Sequence, residues 1–243
     1  MFPDWFHELS IAALILGGVC ALIVLIDVVR RPQKMGVMNV VWPVTALFGT
    51  VFTLWGYVKY GRASSKDAMR QAQGAHQSMP SESQPFPAIV GKGASHCGAG
   101  CMIGDVIAEW LVFLVPVVAV WFGWHSLFEQ KIFAAWIVDF IFAFTLGIVF
   151  QYFAIAPMRG LSPGKGIVAA LKADTLSLAA WQVGMYGFMA IAHFYLFPRC
   201  FGSQADVNSP EFWFAMQIAM VAGFVTAFPV NWWLIRAGIK EKM

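Results

Sequence analysis

One stretch of the sequence concentrates side chains that bind metals or carry out redox chemistry. His96, Cys97 and Cys101 lie within two turns of a helix, and imidazole and thiolate groups bind soft or borderline metals such as Cu(I) and zinc. The block lacks the Cys-x2-Cys pairing of a structural zinc module, so it favours a low-coordinate site for a single ion. We expect these three residues to capture Cu(I) at the entrance of an apolar segment, with zinc as the second possibility.

Two other interpretations of the same block stay open. Two thiols this close in sequence can run thiol–disulfide chemistry. Alternatively, the small residues around them mark a tightly packed helix entrance in which both cysteines are inert; these residues are Gly98, Ala99, Gly100 and Gly104.

Acidic residues follow the cysteines at helical spacing. If this segment is helical, Cys101, Asp105 and Glu109 recur every fourth residue and lie on one face. Asp139 is a further acid inside a later apolar run. Ionisable groups at membrane depth are costly, face the bundle interior and often mark a pathway or a proton relay. We therefore predict that Asp105, Glu109 and Asp139 set the local charge and accept protons released by the thiols.

Methionines supply a second set of soft ligands. Met185 and Met189 are one helical turn apart, as are Met216 and Met220, so each pair stacks on one helix face. Thioethers are uncharged and suit Cu(I), and we predict that these methionines, together with His193, are transit sites for the ion. The alternative is structural, because methionine fills membrane cores readily.

The composition indicates an integral membrane protein. Hydrophobic residues make up 59% of the chain and charged residues only 12%, whereas a soluble domain carries about 25% charged residues. The net charge of +3 is scattered, and no nucleic-acid-binding motif is present, which argues against a nucleic-acid partner. The N-terminus lacks the basic region and cleavage site of a signal peptide, so the first apolar run is expected to be a retained anchor.

The apolar runs predict an all-α polytopic membrane protein with six transmembrane helices plus one amphipathic interfacial helix. The predicted spans are about 9–29, 37–58, 103–123, 132–156, 176–197 and 209–235. The amphipathic helix is expected to open at Ser162 and Pro163, to include Lys172 and Asp174, and to end before the fifth span.

The domain organisation follows from these runs. Residues 1–58 are predicted to form a two-helix hairpin, 59–93 a polar flexible linker, and 94–243 a four-helix core that carries the His-Cys-x3-Cys motif. Within the linker, Gly91-Lys92-Gly93 is no phosphate loop, since it lacks a following Ser or Thr and a preceding strand. The distribution of lysine and arginine over six spans favours both termini in the cytoplasm.

Several blocks resemble a bacterial membrane family known only as a domain of unknown function, DUF4396. The blocks extend over 33–45, 95–105, 181–187 and 229–241. The resemblance implies a multi-pass protein of the bacterial inner membrane and adds a mild association with copper-handling proteins, but it implies no activity. The expected partners are the lipid bilayer and a metal ion, and a copper-handling protein, a membrane complex or a second copy of the chain are further candidates.

Three functions remain in view. The first is a transporter or membrane metallochaperone for Cu(I), which is not an enzyme. The second is a membrane thiol oxidoreductase in which Cys97 and Cys101 form a disulfide and quinone or haem accepts the electrons. The third is a non-catalytic subunit of a larger membrane complex.

Overall fold

The computed structural model describes residues 2–75 and 84–242, and its regular elements are helices. Six helical segments within these ranges are long and apolar enough to cross a membrane, which confirms the predicted all-α membrane fold. The helices are α1 (Asp4–Arg30), α2 (Met38–Gly56), α3 (Lys66–Gly74), α4 (Phe86–Leu114), α5 (Val117–Trp121), α6 (Lys131–Arg159), α7 (Pro163–Ile191), α8 (Phe197–Phe201) and α9 (Pro210–Arg236).

The last long helix begins as the sequence predicts. Ser209 is the N-cap of α9, and its hydroxyl oxygen accepts a hydrogen bond from the backbone N–H of Phe212 at 3.3 Å. Pro210 occupies the first helical position, where its missing N–H costs nothing. Ser162 and Pro163 open α7 in the same positions, although without a side-chain cap bond.

Two predicted boundaries are corrected. The helix that opens at Pro163 continues without a break through α7, a π-helical turn and α8 to Phe201, so no separate amphipathic helix precedes the fifth span. Its acidic residue, Asp174, is completely buried, because a lysine distant in sequence neutralises it. The third long helix begins at Phe86, which moves part of the expected linker and the whole His96 block into α4. The linker residues 76–83 lie outside the described residues.

α4 is the centre of the bundle. It contacts α2, α6, α7 and α9, and it is more deeply buried than the other five candidate spans in the described residues. Its glycines allow α6 to approach closely, since a Cβ on Gly100 would lie 2.8 Å from the Cα of Gly147. Gly98 of α4 and Gly223 of α9 leave the space that the fully buried Trp181 ring fills.

α2 folds back on itself. Thr50 has φ +43° and interrupts the helix, and the rings of Trp42 and Tyr57, on either side of this break, lie 5.5 Å apart. The segments that precede and follow α2 also meet, because the backbone N–H of Lys34 donates to the carbonyl of Ser64 at 3.0 Å. Helix α2 therefore enters and leaves the bundle at the same end, as a re-entrant hairpin.

The remaining long helices run the length of the bundle in alternating directions. His7, near the start of α1, bonds Glu211, at the start of α9, at 2.7 Å, and this marks the N-terminal end of the bundle. At the opposite, C-terminal end, Arg159 pairs with Glu241. The two chain termini thus lie at opposite ends of the bundle, because α2 does not run its full length.

Candidate functional site

A buried ion pair lies near the C-terminal end of the core. After α9 ends, Gly238 adopts a left-handed conformation with φ +69°, and the chain turns back toward the bundle. This turn inserts the Lys240 side chain, whose Nζ lies 2.6 Å from Oδ1 of Asp174 on α7. Both side chains are 0% exposed, so the pair is fully removed from solvent.

Lys240 has further acceptors around its ammonium group. Nζ donates to Asn231 Oδ1 at 2.7 Å, to Cys97 Sγ at 3.0 Å and to the Gly93 carbonyl at 3.2 Å. Burial by itself lowers the pKa of Lys240, but the Asp174 carboxylate outweighs it, and the net result is a pKa above the usual value. Lys240 therefore stays charged and joins α4, α7 and α9.

Cys97 belongs to this same network. Its Sγ lies 3.0 Å from Asp174 Oδ1 and 2.9 Å from Ser177 Oγ. The amide of Asn231 donates to Ser177 Oγ at 2.6 Å and completes the ring of polar contacts. The thiol is consequently held by oxygen and nitrogen groups and by the lysine.

His96 faces a different helix. Its ring centroid lies 6.1 Å from that of Phe150 on α6, and neither ring nitrogen has a hydrogen-bond partner among the described residues. Consecutive residues of a helix project about 100° apart, which separates His96 from Cys97. In the described part of the chain, no three His, Cys, Asp or Glu side chains gather into a metal site, and His96 and Cys97 contact different helices. The block also lies in the middle of α4 rather than at a helix entrance.

The predicted sulfur-bearing side chains belong to the same buried part of the core. One packed core cluster contains Cys97, Cys101, Met102, Met185, Met189, Met216 and Met220. Each of them is at most 9% exposed, and they come from α4, α7 and α9. His193 does not join them, since it lies in the π-helical turn after α7, is partly exposed and contacts Phe194. The four predicted methionines and both cysteines thus share one dry interior.

The three predicted acids lie beyond Cys101, toward the N-terminal end. Asp105, Glu109 and Asp139 are buried in the interface between α4 and α6. Glu109 and Asp139 lie near each other in this interface, and neither carboxyl oxygen of Asp139 has a hydrogen-bond partner among the described residues. Two negative charges so close together are unfavourable in a dry site.

Gln182 and Tyr186 of α7 border the acids. The Gln182 amide lies beside Asp105 and also donates to the Tyr186 hydroxyl at 3.1 Å. The Tyr186 hydroxyl donates in turn to the carbonyl of Trp136 at 2.9 Å. We refer to these groups, the buried cysteines and methionines and the Lys240 network together as the polar chain. Its members follow one another along the bundle interior from the C-terminal end to Glu109, and Asp105 and Asp139 have no hydrogen-bond partner among the described residues.

Sequence reasoning did not identify three members of this chain. Ser177 and Asn231 are polar residues inside apolar spans, a signal that was present but weak. Lys240 sits in a basic tail that is typical of a solvated segment, and only Gly238 indicated that the chain could turn back there. The partners on other helices became apparent only in the folded protein.

These features define a polytopic α-helical membrane protein with an ionisable, sulfur-rich interior. The chain belongs to the family described as "Domain of unknown function (DUF4396)", whose model matches residues 88–240. The match begins in α4 and ends at Lys240, and so includes the described polar chain, whereas the resembling block at 33–45 lies outside it. Searches of curated proteins and of solved structures found no match.

Proposed function

We propose that the protein transports a soft metal cation, Cu(I), through the core of α4, α6, α7 and α9, in exchange for protons. The observation that carries this proposal is that two cysteines and five methionines from α4, α7 and α9 belong to one buried core cluster, among aromatic and small apolar residues. Cu(I) prefers such ligands and accepts low coordination numbers, so neighbouring sulfur pairs offer successive weak sites without a deep trap.

The buried acids supply the exchange partner. A thiol must lose its proton to bind a metal, and Asp105, one turn beyond Cys101 on α4, leads toward Glu109 and Asp139, which share a proton in this mechanism. In this mechanism a bound cation displaces protons along the acids toward the N-terminal end. Lys240 holds Cys97 in the resting protein, so the cation must displace the ammonium group from that thiol.

The charge distribution supports an orientation. The C-terminal end of the bundle carries Arg30, Arg31, Lys34, Lys59, Arg62, Lys66, Arg70, Arg159, Lys165, Arg236 and Lys242, and the N-terminal end carries Lys131 and Arg199. By the positive-inside rule, we place the C-terminal end in the cytoplasm and the N-terminus outside, in the bacterial inner membrane.

The thiol oxidoreductase finds less support. Side chains one turn apart on a helix have Cβ atoms about 5–6 Å apart, whereas a disulfide requires about 3.5–4.5 Å. Both cysteines are 0% exposed, so a Cys97–Cys101 disulfide would require α4 to unwind within the core.

Cu(I) binding under reducing conditions tests the proposal. Purified protein is titrated with Cu(I) against a chromophoric chelator, and we expect stoichiometric copper in the wild type. The Cys97→Ser/Cys101→Ser and Met185→Leu/Met216→Leu variants should bind at least about 10-fold more weakly, since each removes soft ligands.

Met38→Leu is the matched control, because Met38 is equally buried but belongs to the separate cluster around α1 and α2. Wild-type protein that retains no copper, or equal losses in Met38→Leu, would contradict the proposal. In proteoliposomes, Asp139→Asn should retain Cu(I) binding and lose the proton movement that accompanies copper uptake.

A further inference from the structure

Lys92 is a buried cation that the proposed transport does not use. It lies on α4, five residues before Cys97, and is only 4% exposed. Within residues 2–75 and 84–242 no hydrogen bond or ion pair neutralises its ammonium group. An ionised amine removed from water needs an anionic partner, and the described chain does not provide one.

Lys92 lines a cavity between the α2 hairpin, α4 and α9. The cavity has a volume of about 480 Å³, and its walls are largely aromatic, with Phe48, Phe52, Trp55 and Phe224 among them. Volumes of this size are typical of small-ligand sites. Among the described residues that line the cavity, Lys92 is the one that carries a charge, and Lys59 lies beside it over the Trp55 and Tyr60 rings.

The re-entrant path of α2 creates this space. Gly49 and Thr50, at the tip of the hairpin, line the cavity. Irregular backbone is tolerated at membrane depth only where it is covered by protein or borders a cavity. The cavity lies in the half of the bundle nearer the C-terminal end, because its lining residues on α4 fall between Ala88 and Ser95, close to the start of that helix at Phe86.

We propose that this pocket binds an anionic membrane lipid, with its head group on Lys92 and its acyl chain along the aromatic wall. Lys92 follows the start of α4 at Phe86 by six residues, about 9 Å at 1.5 Å per residue, so its ammonium reaches head-group depth. The aromatic residues of α2 and α9 continue from there toward the bundle centre. A charged head beside an apolar wall is the chemistry of an acidic amphiphile, and this inference is independent of the transported ion.

Native mass spectrometry of the detergent-purified full chain tests the proposal. The probes are phosphatidylglycerol and phosphatidylcholine with identical acyl chains, which differ in head-group charge. We expect the wild type to bind one phosphatidylglycerol at least about 10-fold more tightly than phosphatidylcholine, and Lys92→Met to lose this preference. Lys165→Met, which removes an exposed lysine at the same end of the bundle that does not line the pocket, should leave it unchanged.

A second variant tests the aromatic wall, where the acyl chain is proposed to lie, and leaves Lys92 unchanged. A Cβ on Gly91 would have Phe224 as its nearest neighbour, at 4.0 Å, so Gly91→Leu fits the helix and extends into the pocket. It should weaken binding of both lipids. Oleate as a competitor distinguishes a phospholipid site from a fatty-acid site: displacement by equimolar oleate assigns the pocket to free carboxylates.

Two results would overturn the proposal. The first is equal binding of the two lipids by the wild type, a measurement that needs no variant to fold. The second is a preference for phosphatidylglycerol that persists in Lys92→Met, which would place the lipid on the general basic surface instead.

Discussion

Lys240 and Asp174 illustrate how a residue's role depends on its partner. Each alone would be a costly charge at membrane depth, and together they join the tail after α9 to α7. Removing one partner of a buried pair is costlier than removing both, because the remaining charge has no water to solvate it.

Lys240→Met should therefore reduce the free energy of unfolding by about 3–5 kcal/mol. The double variant Lys240→Met/Asp174→Asn should recover most of that loss, since no buried charge remains. Thermal unfolding in detergent measures both, with Lys172→Met, an exposed lysine on α7, as the control. Equal destabilisation of the single and double variants would show that an unpaired buried charge is not the cause of the lost stability.

At the level of helices, close backbone approach fixes how α4 and α6 pack. Gly100 of α4 and Gly147 of α6 have no side chains to hold the two helices apart, so their backbones come into contact. The same logic does not apply to every glycine, because Gly187 on α7 has open space where its Cβ would be.

A matched pair of substitutions separates these two situations. Gly100→Ala places a Cβ 2.8 Å from the Gly147 backbone and should destabilise the protein by about 1–3 kcal/mol through overpacking. Gly187→Ala should be neutral or stabilising by up to about 1 kcal/mol, since alanine favours the helix. Melting temperatures of the two variants give the comparison, and similar values for both would contradict the close packing of α4 and α6.

The re-entrant path of α2 is testable by labelling. Gly36 and Gly74 flank the hairpin, are exposed, and have no atom within 4 Å of a built Cβ. In a Cys200→Ser background, Gly36→Cys and Gly74→Cys should react with an impermeant maleimide from the same side of the membrane. The native Cys200, which is exposed after α7, should react from the other side. Labelling of Gly36→Cys and Gly74→Cys from opposite sides would make α2 a full crossing.

At the scale of the whole molecule, most basic residues lie at the end of the bundle that holds the C-terminus. With α2 re-entrant, the basic residues before and after it fall at the same end of the bundle as Arg159 and Arg236. The matched family region, residues 88–240, contains the four helices that carry the polar chain.

Epitope tags at the two termini should accordingly be digested by protease from opposite sides of the membrane. The tag on the C-terminus should be protected in intact cells, and the tag on the N-terminus should be cleaved once the outer envelope is permeabilised. Protection of both tags would return the protein to an arrangement with both termini in the cytoplasm.

The sequence by itself determined the fold class, the six apolar helices and the one-face alignment of Cys101, Asp105 and Glu109, because hydropathy and helical period are local properties. It also located the start of α9, since Ser209 and Pro210 act within one turn. It could not determine that Thr50 reverses α2, that Lys240 neutralises Asp174, or that His96 faces away from Cys97's partners. Those outcomes depend on contacts between residues far apart in the chain, and only the tertiary structure decided them.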